Sequence, residues 1–352
     1  MDTPPHAGNH PLHLVYATDV NFLLPVGASL SSARLLASRP DALFIHILDC
    51  DIPDDRWDDW VASLRKAIPD LRLIRHRMDM EHFKSFRAWH GSFAAYARLD
   101  LPQLLPDVDW CLYVDGDTLF YDDPFILQAH CDDTAPILGH YDRPFSLHPW
   151  YEQWKREGLE FTYFCSGFIL MNLAWFRANN GTQRCLDFLR EHPETRAPDQ
   201  DALNELTKGQ SKMLPEAWGV FPREAFFADW PGCVHYAAAL PTKTAFNRIY
   251  GFPDITAAWF VFAKTVLGLS VQAACGVPRW KWALGRLYNH LLRFYVALCV
   301  HLPPFKNLPS VQRLKPYFPN KTQRRILSPK FWQEALCRMQ VQICPSHNKT
   351  LC

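Results

Sequence analysis

Two aspartates, Asp115 and Asp117, stand one residue apart directly after the apolar segment Trp110–Val114. Carboxylate oxygens bind divalent cations such as Mg²⁺ and Mn²⁺, which often complete their coordination with phosphate oxygens of a substrate. In open α/β sheets, ligands bind outside the carboxyl ends of the strands. The pattern therefore predicts a metal site that binds a nucleoside diphosphate. The alternative is a strand that ends in a turn of solvated aspartates.

The segments around this pair alternate between strand-like and helix-like patterns. We predict strands at residues 13–17, 43–48, 71–74, 110–114 and 164–173, and helices at 25–36, 54–68, 92–102 and from 199 onward. Repeated β–α units predict an α/β fold with a mostly parallel sheet flanked by helices. The first two strands end near Asp19 and Asp49, and we expect Asp19 to lie near a ligand cleft.

A histidine and a glycine are further candidates for this site. His235 follows a short apolar segment and could supply the nitrogen ligand that two carboxylates lack, although a histidine in this position is often structural. Gly167 lies near the start of an apolar strand, where it either permits close approach to a ligand or eases a bend. Asp199 stands at the start of a predicted helix, where capping is the alternative role.

Composition limits the classes of function. The 352 residues are 48% hydrophobic, which is enough for one large core or two modest ones. The formal net charge of +1 argues against nucleic acid as the main partner. Eleven cysteines without a CxxC pair indicate free thiols. The first residues lack the features of a secretory signal, so we expect a cytoplasmic protein.

Six short motifs follow one another in the sequence. They are Ala-Thr-Asp-Val-Asn at 17–21, Tyr-Ala-Arg-Leu at 96–99, Leu-Tyr-Val-Asp-Gly-Asp-Thr at 112–118, Phe-Cys-Ser-Gly-Phe-Ile-Leu-Met-Asn at 164–172, Asp-Gln-Asp-Ala-Leu-Asn at 199–204 and His-Tyr at 235–236. In this order they resemble glycosyltransferase family 8, and within it the bacterial lipopolysaccharide galactosyltransferases and glucosyltransferases. The resemblance extends over about residues 12 to 246.

The resemblance implies a GT-A fold and a retaining enzyme that transfers a hexose from UDP-glucose or UDP-galactose. It also implies Mn²⁺, with Mg²⁺ as the alternative, and a glycan acceptor such as a growing lipopolysaccharide. The catalytic domain is then expected at residues 12–250, after a short terminal segment at 1–11 and before a helical, basic and aromatic extension at 251–352.

The resemblance also assigns roles to individual positions. The metal ligands are Asp115, Asp117 and His235. The donor is bound by Ala17, Thr18, Asp19, Asn21, Arg98, Asp115, Gly116, Asp142 and Lys243. Asp199 and Gln200 are the catalytic candidates, beneath the reacting face of the sugar.

Two departures from the family pattern affect the donor site. Cys165 and Ser166 stand where the family has Asn-Ala, and a thiol is a poor substitute for an amide as a hydrogen-bonding group. Residues 237–246 replace a glycine-containing turn and a Lys-Pro-Trp sequence, so Lys243 lies farther from His235 than the family's diphosphate-binding lysine does.

The extension mixes aromatic, aliphatic and basic residues at 259–269, 280–288 and 291–298, and residues 306–325 contain no Asp or Glu. Such composition suits a membrane interface with anionic headgroups. We therefore expect peripheral binding to the cytoplasmic face of the inner membrane, with a lipid-linked acceptor. A helical subdomain packed on the core is the alternative.

Bond cleavage in such a reaction leaves negative charge on UDP. Retention requires either a covalent adduct or attack by the acceptor from the same face, and we favour same-face attack, with Gln200 or Asp199 stabilising positive charge on the sugar. Two other classes are considered. One is a haloacid dehalogenase-like phosphohydrolase, whose D-x-D-x-T motif nearly matches residues 115–118, and the other is a sugar-nucleotide-binding protein without turnover.

Overall fold

The structure is a computed structural model that describes residues 10–88, 91–142, 150–221 and 231–237 and eleven further positions between 262 and 308. The described strands are β1 Leu12–Thr18, β2 Leu43–Asp49, β3 Leu73–Arg77, β4 Trp110–Val114, β5 Thr118–Phe120, β6 Ile137–Tyr141, β7 Phe164–Asn172, β8 Lys212–Met213, β9 Trp218–Val220 and β10 Cys233–His235. The α-helices are α1 Leu23–Leu36, α2 Asp54–Ala67, α3 Leu101–Leu104, α4 Tyr151–Arg156, α5 Leu173–Ala178, α6 Gly181–Glu191 and α7 Pro198–Leu206.

Seven strands form a mixed sheet in the order β3-β2-β1-β4-β7-β6-β8. Strands β3, β2, β1 and β4 are parallel, and β7 runs antiparallel to both β4 and β6. Alternate residues of β1 pack on opposite faces, with Leu14 and Tyr16 in one hydrophobic core and Val15 and Ala17 in the other. The predicted mostly parallel sheet flanked by helices is confirmed.

A second, three-stranded sheet has the order β5-β10-β9. Strand β10 is antiparallel to β5, and His235 is paired with Thr118. The backbone N–H of Tyr236 donates a hydrogen bond of 2.8 Å to the carbonyl of Asp117. This register brings the end of β10 to the loop that joins β4 to β5.

Helix α1 packs closely on that loop. A Cβ atom at Gly116 would lie 2.4 Å from Cγ2 of Val26, so a side chain at this position would push the loop away from the helix. Buried hydroxyl groups on α1 fix β5 in addition. Ser29 is hydrogen-bonded to the hydroxyl of Thr118 at 2.5 Å, and the hydroxyl of Ser32 accepts a 2.9 Å bond from the N–H of Phe120.

Two predicted elements differ from the structure in type or extent. Residues 92–102, predicted as a helix, form a 3₁₀ helix at Ala94–Asp100 followed by the short α3. Pro102 has no N–H to bond to the carbonyl of Arg98, which accepts from the N–H of Leu101 instead, and the carbonyl of Ala95 also accepts a 2.9 Å bond from Nε of Arg98. The strand predicted at 71–74 begins at Leu73, because the N–H of Leu71 bonds to the carbonyl of Ile68 in a turn.

Parts of the predicted extension are described. Phe262 and Ala263 are helical and buried, and seven helical positions between 280 and 298 are exposed. Lys243 and the rest of the extension lie outside the described residues, so the division at residue 250 stays a prediction. Among the helices that the structure describes, none is both long and apolar enough to cross a bilayer.

Candidate metal and donor site

Asp115, Asp117 and His235 converge at the carboxyl end of β4. One ligand atom from each lies within 4.8 Å of the others. Nε2 of His235 is 3.2 Å from Oδ1 of Asp117 and 3.8 Å from Oδ2 of Asp115. The imidazole is buried, whereas the side chain of Asp115 is 32% exposed, so the group is open to solvent on the side of the acids. Two carboxylates and an imidazole are a suitable ligand set for Mn²⁺ and related divalent cations.

Gly167 provides the space in which these side chains meet. A Cβ atom on this residue would lie 2.4 Å from Cε1 of His235 and 2.5 Å from Oδ2 of Asp115. Real Cβ atoms do not approach other heavy atoms so closely, so any side chain here would displace both groups. The structure therefore shows close approach of two side chains to this glycine, and close approach to a bound ligand stays a prediction.

Arg98 is buried behind the acids and is bonded in several directions. Its Nη2 donates a 2.9 Å bond to Oδ1 of Asp115, its Nη1 donates a 2.5 Å bond to the carbonyl of Ser166, and its Nε lies 3.4 Å from Oδ2 of Asp199. The guanidinium also stacks 4.2 Å above the ring of Tyr113. Arg98 thus holds one oxygen of Asp115, while the other oxygen is directed at His235.

Asp199 and Gln200 occupy the first turn of α7 and are held by Ser166. The Ser166 hydroxyl donates a 2.9 Å bond to Oδ2 of Asp199, and its backbone N–H donates a 3.0 Å bond to Oε1 of Gln200. Nε2 of Gln200 donates a 2.8 Å bond to Oδ2 of Asp142. Burial raises the pKa of Asp199, although the neighbouring Arg98 opposes the shift. The structure therefore joins Arg98, Asp142, Asp199 and Gln200 in one polar network.

This network contains residues that the sequence did not single out. The hydroxyl of Tyr163 donates to Oδ1 of Asp201 and lies 3.3 Å from Nε2 of Gln200. The hydroxyl of Thr195 donates to the other oxygen of Asp201, whose side chain is fully buried. The adjacent Asp-Gln-Asp sequence was a signal for Asp201, but nothing in the sequence pointed to Tyr163 or Thr195.

The end of β1 forms a compact loop beside β4. Oδ1 of Asp19 accepts a 2.9 Å bond from the N–H of Asn21, and its Oδ2 accepts a 2.9 Å bond from the hydroxyl of Ser92. The hydroxyl of Thr18 donates to the carbonyl of Asp19. Because β1 and β4 are adjacent and parallel, the loop that follows Thr18 lies at the same edge of the sheet as the acids.

Solved structures share this architecture. The galactosyltransferase LgtC in complex with donor and acceptor sugar analogues superposes with a TM-score of 0.58, at 23% identity, over 78% of this chain and 100% of that chain. The apo structure of the bifunctional glycosyltransferase WbbM gives a TM-score of 0.54, at 19% identity, over 70% of this chain and 50% of that chain. The chain therefore has the GT-A fold of glycosyltransferases, as predicted.

The family model for glycosyl transferase family 8 matches residues 13–229, and the chain belongs to this family. General stress protein A of Bacillus subtilis is 25% identical over 59% of this chain and 73% of its own length. The lipopolysaccharide 1,3-galactosyltransferase of Salmonella typhimurium is 26% identical over 59% of this chain and 63% of its own length. The lipopolysaccharide 1,2-glucosyltransferase of Escherichia coli is 26% identical over 59% of this chain and 61% of its own length. The chain spans less than two thirds of the length of each of these two lipopolysaccharide enzymes.

The family assignment confirms the resemblance and identifies the protein as a transferase related to lipopolysaccharide galactosyltransferases and glucosyltransferases. It sets aside the haloacid dehalogenase alternative, because the near match at residues 115–118 belongs to a transferase of another fold.

Proposed function

We propose that this protein is a retaining, metal-dependent glycosyltransferase that moves glucose or galactose from a UDP-sugar to a hydroxyl of lipopolysaccharide or another cell-surface glycan. The observation that carries this proposal is the convergence of Asp115, Asp117 and His235 in a family 8 chain. The names of the two lipopolysaccharide transferases among its relatives support the acceptor class.

The ligand set supports Mn²⁺, with Mg²⁺ as the alternative. Asp115 offers the oxygen that Arg98 leaves free, and Asp117 and His235 supply the other two ligands. A bound cation would neutralise charge on the diphosphate of the donor and so favour departure of UDP. The exposed side of Asp115 leaves room for phosphate oxygens.

The polar network supplies the remaining roles. Arg98 adds a buried positive charge at the donor site, and Asp199 holds Arg98 in place. Oδ2 of Asp199 is occupied by the hydroxyl of Ser166 and by Nε of Arg98, and both contacts compete with attack on the sugar by this oxygen. This favours same-face transfer over a covalent adduct. Gln200 is fixed by Ser166 and Asp142, and its side-chain oxygen stabilises positive charge on the sugar. The acceptor proton passes to the departing phosphate.

Donor binding is assigned to the neighbouring loops. Ala17, Thr18, Asp19 and Asn21 hold the uracil and ribose, and Gly116 allows the backbone of the metal loop to lie close to α1. Asp142 contacts the sugar, since it lies beside Gln200. Lys243 contacts the diphosphate on the strength of the family resemblance alone.

We also propose that the extension binds the cytoplasmic face of the inner membrane, where a lipid-linked acceptor would be presented. Seven apolar helical side chains are between 40 and 69% exposed, namely Trp280, Leu284, Leu287, Leu291, Phe294, Tyr295 and Leu298. Spacings of three and four residues are those that, within a single helix, put side chains on one face. Residues 306–325 add basic side chains without Asp or Glu, which suits anionic headgroups.

Membrane binding is tested by sedimentation of the purified protein with vesicles. Wild-type protein should bind vesicles that contain phosphatidylglycerol more strongly than pure phosphatidylcholine vesicles, and the double change Leu287→Ser and Leu291→Ser should weaken binding to both. Equal binding by this variant would contradict an interfacial helix at this face.

The transferase proposal is tested by UDP release from UDP-glucose, UDP-galactose and their N-acetyl relatives, with Mn²⁺, Mg²⁺ or EDTA. Wild-type protein should release UDP from one donor in the presence of metal, and Asp117→Ala should abolish turnover while the fold stays intact. An Asp117→Ala variant that keeps most of its activity with added Mn²⁺ would overturn the metal assignment. Donor binding without UDP release would instead favour the non-catalytic alternative.

A further inference from the structure

The imidazole of His235 has a polar partner on each of its two nitrogens. Nε2 faces the carboxylates, and Nδ1 lies 3.7 Å from the sulfur of Cys165. The ring of Phe221 packs on the imidazole with their centroids 5.6 Å apart, and Gly167 lies against its Cε1 edge. Cys165 and His235 are both buried.

Cys165 and Gly167 reach His235 from the same face of β7. They are two residues apart in one strand, and side chains in a strand alternate between faces. The side chain of Cys165 contacts the imidazole, and Gly167 leaves room for the imidazole because it has no side chain. The Cys165 position is also where this chain departs from the family pattern.

A histidine that binds a cation through Nε2 must carry its proton on Nδ1, and this N–H requires an acceptor that fixes the orientation of the ring. Among the described residues, the sulfur of Cys165 is the hydrogen-bond partner of Nδ1. Sulfur is a weak acceptor, but the site is buried and an unmade hydrogen bond there is costly.

We propose that Cys165 is a positioning residue for the metal site. Its sulfur accepts the Nδ1–H of His235 and keeps the lone pair of Nε2 directed at the space between this nitrogen and the carboxylates of Asp115 and Asp117, where a cation would lie. This inference rests on the proposed metal site. In this chain, Cys165 thus orients a metal ligand from the position where the family has an asparagine.

The test is a titration of the whole protein with Mn²⁺ in the absence of donor. The electron paramagnetic resonance signal of free Mn²⁺ reports how much of the ion is not bound. Cys165→Ala removes the acceptor and should raise the Mn²⁺ dissociation constant by about 10-fold or more, as is usual when the partner of a metal-bound histidine is lost. Cys165→Ser restores an acceptor and should recover most of the affinity. Cys185→Ala, a matched change of a buried cysteine in α6, should leave Mn²⁺ binding unchanged.

Cys165→Val is the second variant, because it keeps the volume of the side chain and has no acceptor. Near-ultraviolet circular dichroism verifies that each variant is folded. Wild-type affinity in folded Cys165→Ala or Cys165→Val, or a loss in Cys165→Ser as large as in Cys165→Ala, would refute the role of the sulfur and leave the proposed transferase intact. Wild-type protein that binds no Mn²⁺ would overturn both.

Discussion

Gly167 lies against the imidazole of His235 so closely that even a methyl group on its Cα would come within 2.4 Å of Cε1. The same methyl group would come within 2.5 Å of Oδ2 of Asp115. The lack of a side chain at Gly167 in β7 therefore allows two candidate metal ligands to meet, Asp115 from the loop after β4 and His235 from β10.

The first prediction concerns this glycine. Gly167→Ala should weaken Mn²⁺ binding by about 10-fold or more, because the added methyl group displaces two ligand side chains. Isothermal titration with Mn²⁺ measures this change. Gly158→Ala is the matched control, since its methyl group would meet no atom within 4 Å. Its positive φ of 72° will cost some stability, but its Mn²⁺ affinity should equal that of the wild type.

The second prediction concerns the buried pair of Arg98 and Asp199. Arg98→Met should lower the free energy of unfolding by about 3 kcal/mol, because it leaves the buried carboxylate of Asp199 without its counter-charge. Urea titration at constant pH measures this loss, and Arg98→Met with Asp199→Asn should recover part of it. Arg190→Met removes an exposed pair with Asp187 and should cost only about 0.5 kcal/mol. Strictly additive losses in the double variant would exclude coupling between Arg98 and Asp199.

The third prediction concerns a row of three histidines across β1, β2 and β3. His13 and His76 are hydrogen-bonded to the two nitrogens of His46 at 3.0 and 2.9 Å. Burial, together with the charges of His13 and His76, lowers the pKa of His46 to about 3. The folded protein therefore binds fewer protons than the unfolded chain between about pH 3 and the ordinary histidine pKa of about 6.5.

This contribution to stability should be complete above pH 6.5 and decline as the pH falls toward 3, with a total on the order of 5 kcal/mol. The free energy of unfolding, measured by urea titration from pH 7.5 to pH 4, provides the test. His46→Gln cannot titrate, so its stability should depend less steeply on pH than that of the wild type. Parallel curves for the two proteins would rule out His46 as the source.

The fourth prediction separates two functions of the network around Asp201. Tyr163→Phe and Thr195→Val each remove one hydrogen bond from the buried carboxylate and should cost about 1–3 kcal/mol of stability. The hydroxyl of Tyr163 also lies 3.3 Å from Nε2 of Gln200, whereas the hydroxyl of Thr195 donates to the other oxygen of Asp201. Tyr163→Phe should therefore lower kcat for UDP release more than Thr195→Val does. Equal kcat values in the two variants would mean that Tyr163 acts only on stability.

Several features were predictable because they depend on local pattern. The apolar segments gave β1, β2, β4 and β7 to within about two residues, and the repeated β–α units gave the mostly parallel sheet. The candidate ligands Asp115, Asp117 and His235 were found from residue type and motif order. The structure places these three together, as the resemblance implied.

Other features depend on contacts between distant parts of the chain. The bridge that Ser166 makes to Asp199 and Gln200 requires the start of α7 to lie beside β7, which no local pattern specifies. The 3₁₀ geometry before α3 arises where the side chain of Arg98 bonds to the carbonyl of Ala95. Tyr163 lies outside any recognisable motif, and its role follows only from its position next to Asp201.

The origin of His235 in β10 has a thermodynamic consequence. The two acids lie between β4 and β5, whereas His235 ends a strand from a much later part of the chain. A cation bound by all three would stabilise the pairing of β10 with β5, because β10 could not detach until the ion is released. Amide hydrogen exchange in β10 should therefore slow as the Mn²⁺ concentration rises. The affinity for Mn²⁺ and the protection of β10 against exchange would then be linked, so that a change that weakens one weakens the other.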